Sequence, residues 1–492
     1  MITIVVNNVE SKLSECPSEL IVEEIRKELR YKNDADNPFM KQKFQRFNYE
    51  IPEFKYLYHK GKKTFPTGLL DKVEKIFQDN KVDYKVDDQR IDYPPINPLP
   101  IKGYKLRKYQ MDAKKTALDN KNCTIRIATG GGKTAIMAAL AGELNGYKQI
   151  IFVRRQMLLM QTIRVYEREL GIEIGQIGVG VVNIKDITVA MIPTVARAID
   201  SKWKFKKSND DDEDDDTKLT KNQQENIQNY LKNCECLTID ESHCLGSETA
   251  QLVANYATKA RYRWSFSATP WRDDGKDILL DAATGPRVVN IDASYLIERD
   301  FLVPPHIFFF KTPSVRIPVH IQGKYQDVYK EFIVENQSRN QVIIDKAIEA
   351  YNRFEKILIL VQQIDHGKII LEALEKEGIW TEYISGSRTM ISREELVKTF
   401  QTRSRSVLIG TNGTLAEGID IPEISVLINA SGGKSSVQFY QKIGRAIRIA
   451  EDKKRAIVID FLDQNIKYMQ NHAKARIKLI KTESLYKLKV QE

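Results

Sequence analysis
The chain has 492 residues, 42 % of them hydrophobic, and a mean hydropathy of −0.41. That is material for about three domain-sized cores, and since no uninterrupted apolar span reaches membrane length, the composition argues against a membrane-spanning class and predicts an intracellular, cytoplasmic protein. Net charge is +10 with pI near 9.0, and the seven acids of DDDEDDD (residues 210–216) leave +17 on the rest, a balance that suits a polyanionic partner, most simply nucleic acid.

The first segment, MITIVV, alternates like a strand, and ELIVEEIRKEL (19–29) follows with helical spacing. Without a basic lead, this start does not predict a targeting peptide. Between Met40 and Lys63 seven Lys or Arg residues meet two Glu, with Phe44, Phe47, Tyr49, Phe54, Tyr56 and Tyr58 interleaved. Basic side chains can track phosphates while rings stack on exposed bases, so Lys41, Lys43 and Arg46 are candidate DNA contacts. In FKYLYHKG the alternation puts Phe54, Tyr56 and Tyr58 on one strand face, and about half of the rings are expected in a core. Four prolines in YPPINPLP (93–100) close a small α/β module over 1–98.

Beyond Gly103, strand-like runs alternate with helical ones: CTIRIA, QIIFV (149–153), DITVAMI, CECLTID and RYRWSFSAT. This pattern predicts parallel strands with crossover helices, a doubly wound α/β sheet over 99–293. Its first turn, IRIATGGGKTAIM (125–137), places three glycines before Lys133 and Thr134. Glycines let backbone N–H groups face phosphates at a helix N-terminus, and a lysine reaches the outer phosphates. Thr129, Gly130, Gly131, Gly132, Lys133 and Thr134 are therefore candidate nucleotide contacts, although Ile127 stands where the strict eight-residue pattern has its first glycine. The acidic run lies in an aperiodic insertion, 208–226, expected to be disordered. Next, LTIDESHCLG (237–246) sets Asp240 and Glu241 at the C-terminal end of a strand, where open α/β sheets bind ligands. Asp240 with Thr134 can hold Mg²⁺, and Glu241 can position and deprotonate a water. Cys234, Cys236, His243 and Cys244 also cluster, but the strand-like placement of Cys234 and Cys236 argues against a metal site, and an odd total of five irregularly placed cysteines argues against disulfides.

SYLIERDFLVPPHI opens a connector, 294–310, after which the alternation restarts with KILILV (356–361), TEYISG, SVLIG, SVLINA and RAIVIDF. A second α/β lobe over 311–468 and a basic tail over 469–492 complete the expected organisation.

Several segments in this order resemble the superfamily 2 helicases. LRKYQ (106–110) is similar to their adenine-reading Q motif, ATGGGKT to motif I, DESH to motif II and SATP (267–270) to motif III. GTLAEGIDIP (413–422) is similar to motif V, and QKIGRAIR (441–448) fits the motif VI pattern QxxGRxxR. The resemblance implies two RecA-like lobes, use of ATP and Mg²⁺, and adenine contacts from Arg107 and Gln110. It implies that Gly418 and Asp420 complete the nucleotide cleft, with catalytic roles for Gln441, Arg445 and Arg448. An arginine on a phosphoryl-transfer transition state accelerates it roughly 10³- to 10⁵-fold, so arginines from one lobe acting on ATP held by the other would tie hydrolysis to movement. Arg154, Arg155, Thr194, Gln363 and Thr411 become candidate DNA contacts, although RRQMLL (154–159) lacks the proline usual in motif Ia. SATPWRDDG (267–275), FPTGLLDKVEKIFQDNKVDYKV (65–86) and HAKARIKLIKTESL (472–485) are similar to the phage UvsW-like and XPB-like branch. That branch implies an ATP-dependent DNA helicase, acting as a monomer, that unwinds or migrates forked, branched or duplex DNA. An RNA helicase, or the DNA-dependent ATPase subunit of a restriction or repair complex, would use the same motor.

Overall fold
A computed structural model describes residues 1–33, 52–200, 218–270, 275–314, 325–354, 356–384, 390–411, 421–433, 436–464 and 467–491. Strands β1 (Ile2–Val6), β2 (Glu10–Leu13), β5 (Thr64–Pro66) and β6 (Tyr84–Asp88) form an N-terminal sheet ordered β5-β2-β1-β6, while β3 (Arg30–Lys32) and β4 (Phe54–Tyr56) make a separate antiparallel ribbon. Alternation explains this sheet: Ile2, Ile4 and Val6 all face the core, against helices Glu19–Glu28 and Leu70–Asp79. Ser18 caps the first of these by accepting from the Ile21 N–H.

The next sheet is ordered β10-β9-β11-β8-β12-β13-β7-β14, from strands β7 (Asn122–Ile127), β8 (Gln149–Val153), β9 (Gly175–Gly178), β10 (Val181–Asn183), β11 (Ile187–Met191), β12 (Cys236–Asp240), β13 (Tyr262–Ser267) and β14 (Arg287–Ile291). The pairs from β9 through β7 are parallel, and β10 is an antiparallel edge. β8, β11, β12 and β13 are buried at every residue, which is why they read as apolar runs and not as alternation. The final sheet, β17-β18-β16-β19-β20-β15-β21, uses β15 (Pro305–Lys311), β16 (Lys356–Val361), β17 (Thr381–Ile384), β18 (Ser406–Thr411), β19 (Val426–Asn429), β20 (Ala456–Leu462) and β21 (Lys487–Gln491), all paired in parallel. It lies in a compact unit that comprises Ile291–Glu492 and also takes in Ala128–Gly131, distinct from the unit that holds nearly all of the first two sheets. The chain is thus an α/β protein with two doubly wound lobes and a small N-terminal α/β domain.

One segment departs from the sequence expectations: the insertion 208–226 is expected to be disordered, yet from Lys221 it forms the helix Lys221–Asn233, capped by Thr220 accepting from the Gln223 N–H. The basic tail contains a helix, Lys467–Ile480, and its last strand adds to the edge of the third sheet beside β15. The proline-rich stretch is tied to the first lobe. The Tyr93 and Pro94 carbonyls accept from the Tyr262 and Tyr147 hydroxyls at 2.9 and 2.7 Å, Asp92 accepts from Arg261 Nε at 2.7 Å, and the Leu99 N–H donates to the Gly142 carbonyl at 2.8 Å. The N-terminal domain also meets the first lobe directly. A Cβ on Gly68 would stand 2.0 Å from the Asp281 carbonyl oxygen, and Ala282 belongs to the N-terminal core.

Candidate nucleotide site
β12 lies beside β13, and β13 beside β7, so three parallel strands end next to one another. The register pairs Asp240 with Phe266 and Ser267 with Arg126, aligning the acidic pair, the serine and the start of the glycine loop on one edge. After β7 the loop turns through a Gly131 N–H to Ala128 carbonyl bond of 3.0 Å, with Gly130 at φ +85° and Gly132 at φ +79°. Gly132 has a second reason to be glycine: a Cβ there would lie 2.3 Å from Gln110 Nε2. The helix Lys133–Glu143 follows directly, its first turn begun by Ala135 and Ile136 N–H groups donating to the Gly132 carbonyl at 3.1 and 3.3 Å, so the helix N-terminus opens on the loop.

Gln110 is fully buried, and its Oε1 accepts from the Arg107 N–H at 2.9 Å and the Tyr104 hydroxyl at 3.2 Å. The Q-motif glutamine is therefore locked against the phosphate loop by the N-terminus of its own helix, Lys108–Asn120. Sequence reasoning missed Tyr104; its only signal is an aromatic residue placed six before the glutamine.

Lys133 Nζ donates to Glu241 Oε1 at 2.9 Å, with both side chains largely buried. The Ser267 hydroxyl donates to the other oxygen, Oε2, at 3.2 Å and accepts from the Thr269 N–H at 3.1 Å. This joins motifs I, II and III through one carboxylate, a role for Ser267 that spacing alone does not assign. Glu241 itself has φ +56°, a left-handed conformation uncommon outside glycine, and its N–H donates to Asp240 Oδ1 at 3.0 Å. Beneath the acids, burial first and the charge of Asp240 second push the Tyr166 hydroxyl far above its ordinary pKa, so it stays protonated.

The other candidates are distributed as follows. Thr134 lies in the first turn of the loop helix. Arg154 and Arg155 are half-buried at the end of β8. Thr194 is fully buried in the helix Ile192–Ile199, and its hydroxyl has no hydrogen-bond partner among the described residues, so a nucleic-acid contact there would require that helix to be uncovered. In the second lobe Gln363 precedes the helix Ile364–Lys376, while Thr411 ends β18 in register with Val361 of β16. Gln441 and Arg445 belong to the helix Ser436–Ala446, and Arg448 follows it, where burial lowers its guanidinium pKa. Nearby, burial draws Lys453 down to about 8, helped by the charge of Arg448 and opposed by Glu423. Gly418, Asp420, Lys41, Lys43 and Arg46 lie outside the described residues.

Of the N-terminal rings, Tyr58 is in the core, Arg26 covers the Tyr56 ring at 4.1 Å and Arg30 covers Phe54 at 4.0 Å, while Phe44, Phe47 and Tyr49 lie outside the described residues. Among the described residues no three His, Cys, Asp or Glu side chains are grouped for a metal ion. Burial pushes the Cys123 and Cys234 thiols up to about 12, as expected of inert core cysteines. No described helix is long and apolar enough to cross a membrane.

Comparisons with known proteins place helicases among the relatives of the chain. The family model "Type III restriction enzyme, res subunit" matches residues 103–272, and "Helicase conserved C-terminal domain" matches 338–450. The DNA 3'-5' translocase XPB2 of Sulfurisphaera tokodaii is 23 % identical over 428 residues, 79 % of this chain and 88 % of the relative. The ATP-dependent DNA helicase uvsW of Enterobacteria phage T4 is 23 % identical over 362 residues, 72 % of this chain and 68 % of the relative. A solved structure of S. cerevisiae Dbp5 bound to RNA and ADP BeF3 shares the fold, with a TM-score of 0.52 at 16 % identity, over 78 % of this chain and 94 % of that one. Fold and site together define an ATP-dependent nucleic-acid helicase. The chain resembles the superfamily 2 helicases of the UvsW-like and XPB-like branch.

Proposed function
We propose that the protein is a DNA helicase or translocase that unwinds or branch-migrates forked and junction DNA, using ATP and Mg²⁺. The observation that carries the motor chemistry is the meeting of Lys133, Glu241 and Ser267 beside Asp240 at three adjacent strand ends. In this reading Lys133 holds the outer phosphates, and Thr134 and Asp240 hold Mg²⁺, which neutralises phosphate charge when bound. Glu241 orients the attacking water and accepts its proton. Arg107 and Gln110 define the base end of the site, and Gly418 and Asp420 complete the cleft. Gln441, Arg445 and Arg448 come from the second lobe to stabilise the transition state. Arg154, Arg155, Thr194, Gln363 and Thr411 track the strand, and Lys41, Lys43 and Arg46 help hold the branch. The basic balance of the chain and the DNA enzymes among its relatives support DNA as the polymer.

The test measures ATP hydrolysis with single-stranded, duplex, forked and four-way DNA and with RNA, alongside unwinding of each labelled substrate. Forked or four-way DNA should stimulate turnover most and be unwound. Stronger stimulation by RNA would overturn the assignment of DNA, and equal response to all DNA forms would remove branch recognition from it.

A further inference from the structure
The C-terminal segment HAKARIKLIKTESL supplies a side chain that reaches the helix carrying the motif VI residues. Arg476 is 2 % exposed and pairs with Asp460 through two bonds, Nε to Oδ2 at 2.9 Å and NH2 to Oδ1 at 2.8 Å. Asp460 is fully buried within β20 and also accepts from the Asn429 amide at 2.9 Å and the Phe461 N–H at 2.6 Å, so both carboxylate oxygens are fully used. Asn429 passes the contact on, its Oδ1 accepting from Lys442 Nζ at 2.9 Å and from the Ser431 hydroxyl at 2.7 Å. Lys442 also donates to Ser431 Oγ at 2.7 Å and is itself buried. The direction of every bond is fixed, because Asn429 must present nitrogen to a carboxylate and oxygen to an ammonium. A second arm of Arg476, NH1, donates to the Gly433 carbonyl at 2.6 Å, on the chain leading into the helix Ser436–Ala446.

Lys442 stands between Gln441 and Arg445 on that helix, which rises about 1.5 Å per residue, so its anchor sets where Arg445 and the following Arg448 are carried. We propose that Arg476 is a positioning residue for ATP hydrolysis: through Asp460 and Asn429 it fixes Lys442, and through Gly433 the approach to the helix, holding the motif VI arginines in register. This rests on the transition-state role given above to Arg448. A buried, fully satisfied polar chain suits such a task, since it admits one arrangement where an apolar contact would tolerate several.

The experiment is a kinetic double-mutant cycle on the full chain, with steady-state ATP hydrolysis in the presence of forked DNA. Arg476→Gln should lower kcat about 10- to 100-fold, the scale of a small misplacement of a catalytic group, while KM for ATP changes less than about twofold. Arg476→Lys should recover part of the loss. Adding Arg476→Gln to Arg448→Ala should cost nothing further, because both act on one interaction. Multiplying losses, or a raised KM with normal kcat, would assign Arg476 to general stability and overturn the proposal. Wild-type kcat in Arg476→Gln beside a slow Arg448→Ala would overturn it as well, whereas wild-type kcat in Arg448→Ala overturns the role of that arginine instead. Should Arg476→Gln fail to fold, Ser431→Ala removes one acceptor of Lys442 and should still lower kcat several-fold without additivity; an unchanged kcat there overturns the proposal.

Discussion
At the scale of single residues, the informative contact is the 2.9 Å pair between Lys133 and Glu241. A lysine meant for phosphates and a carboxylate meant for water each occupy the other, so an arriving triphosphate competes with Glu241 for the ammonium. Glu241→Gln weakens that competition and removes the base. It should bind ATP at least as tightly as wild type in an equilibrium titration while hydrolysing less than a few per cent as fast, in the range of roughly 10²- to 10⁴-fold for a lost general base. Weaker binding with preserved turnover would contradict the assignment. Lys133→Ala, by contrast, should lose binding and turnover together. Of these contacts the sequence disclosed the residue types and their strand-end placement, because loop, acids and SATP are each contiguous. It did not disclose that Ser267 and Lys133 share one carboxylate, or that Gln110 rests on Gly132, since those meetings depend on how distant strands and helices are brought side by side.

Whole elements are held by buried charges that no local pattern announces. Arg263, the second residue of β13, is 2 % exposed and donates to three carbonyls: Ala254 at 2.6 Å, Ala257 at 3.0 Å and Ala283 at 2.8 Å. The acceptors lie at the C-terminal ends of the helices Glu248–Tyr256 and Ile278–Thr284, where unsatisfied carbonyls concentrate negative partial charge. Burial lowers its pKa to about 10, which leaves it charged at neutral pH. In RYRWSFSAT this residue has the look of an exposed alternate of a strand; only the closure of two helices over that face makes it interior. Arg263→Leu should destabilise the first lobe by about 3 kcal/mol or more, from orphaned carbonyls, and Arg263→Lys by less; thermal unfolding midpoints check both. The same helix Ile278–Thr284 carries Asp281, whose pKa burial raises to about 6, with Asp277 adding to the rise and Lys72 and Arg287 opposing it. The folded state therefore keeps a proton that the unfolded chain releases near 3.8, and this group's contribution to stability falls as pH rises from about 4 through 6. Asp281→Asn should flatten that part of the curve, seen as a larger gain in unfolding midpoint over wild type at pH 7.5 than at pH 5.

For the whole molecule, the apolar runs announced two doubly wound lobes and an N-terminal domain, while the seams between neighbouring pieces stayed hidden. Asp92, Tyr93, Pro94 and Leu99 are bonded to the first lobe, so a chain beginning at Ile91 keeps those bonds, whereas one beginning at Pro100 would not. The chain from Ile91 should fold and retain ATP hydrolysis. If the first ninety residues grip the branch, its binding to forked DNA should weaken and depend less on salt, the log–log slope becoming shallower by about 0.9 for each phosphate no longer neutralised. Unchanged junction unwinding by a soluble, folded truncation would instead give those residues to protein partners.

The approach at Gly68 has a mechanical consequence. Any larger side chain there must push against the Asp281 and Ala282 carbonyls, backbone that belongs to a helix of the first lobe, so the seam closes only with glycine. Lys72 reaches Asp281 alongside it at 3.9 Å, and Asn8 donates to the Thr258 carbonyl at 3.1 Å. The N-terminal domain is in this sense an outrigger bolted to the first lobe, with the proline stretch as a second bolt. Whatever it holds must travel whenever that lobe travels, and force generated at the ATP site would reach it without slack. Gly68→Ala should loosen the bolt while leaving every nucleotide contact in place, so ATP consumed per base pair opened should rise before hydrolysis itself slows.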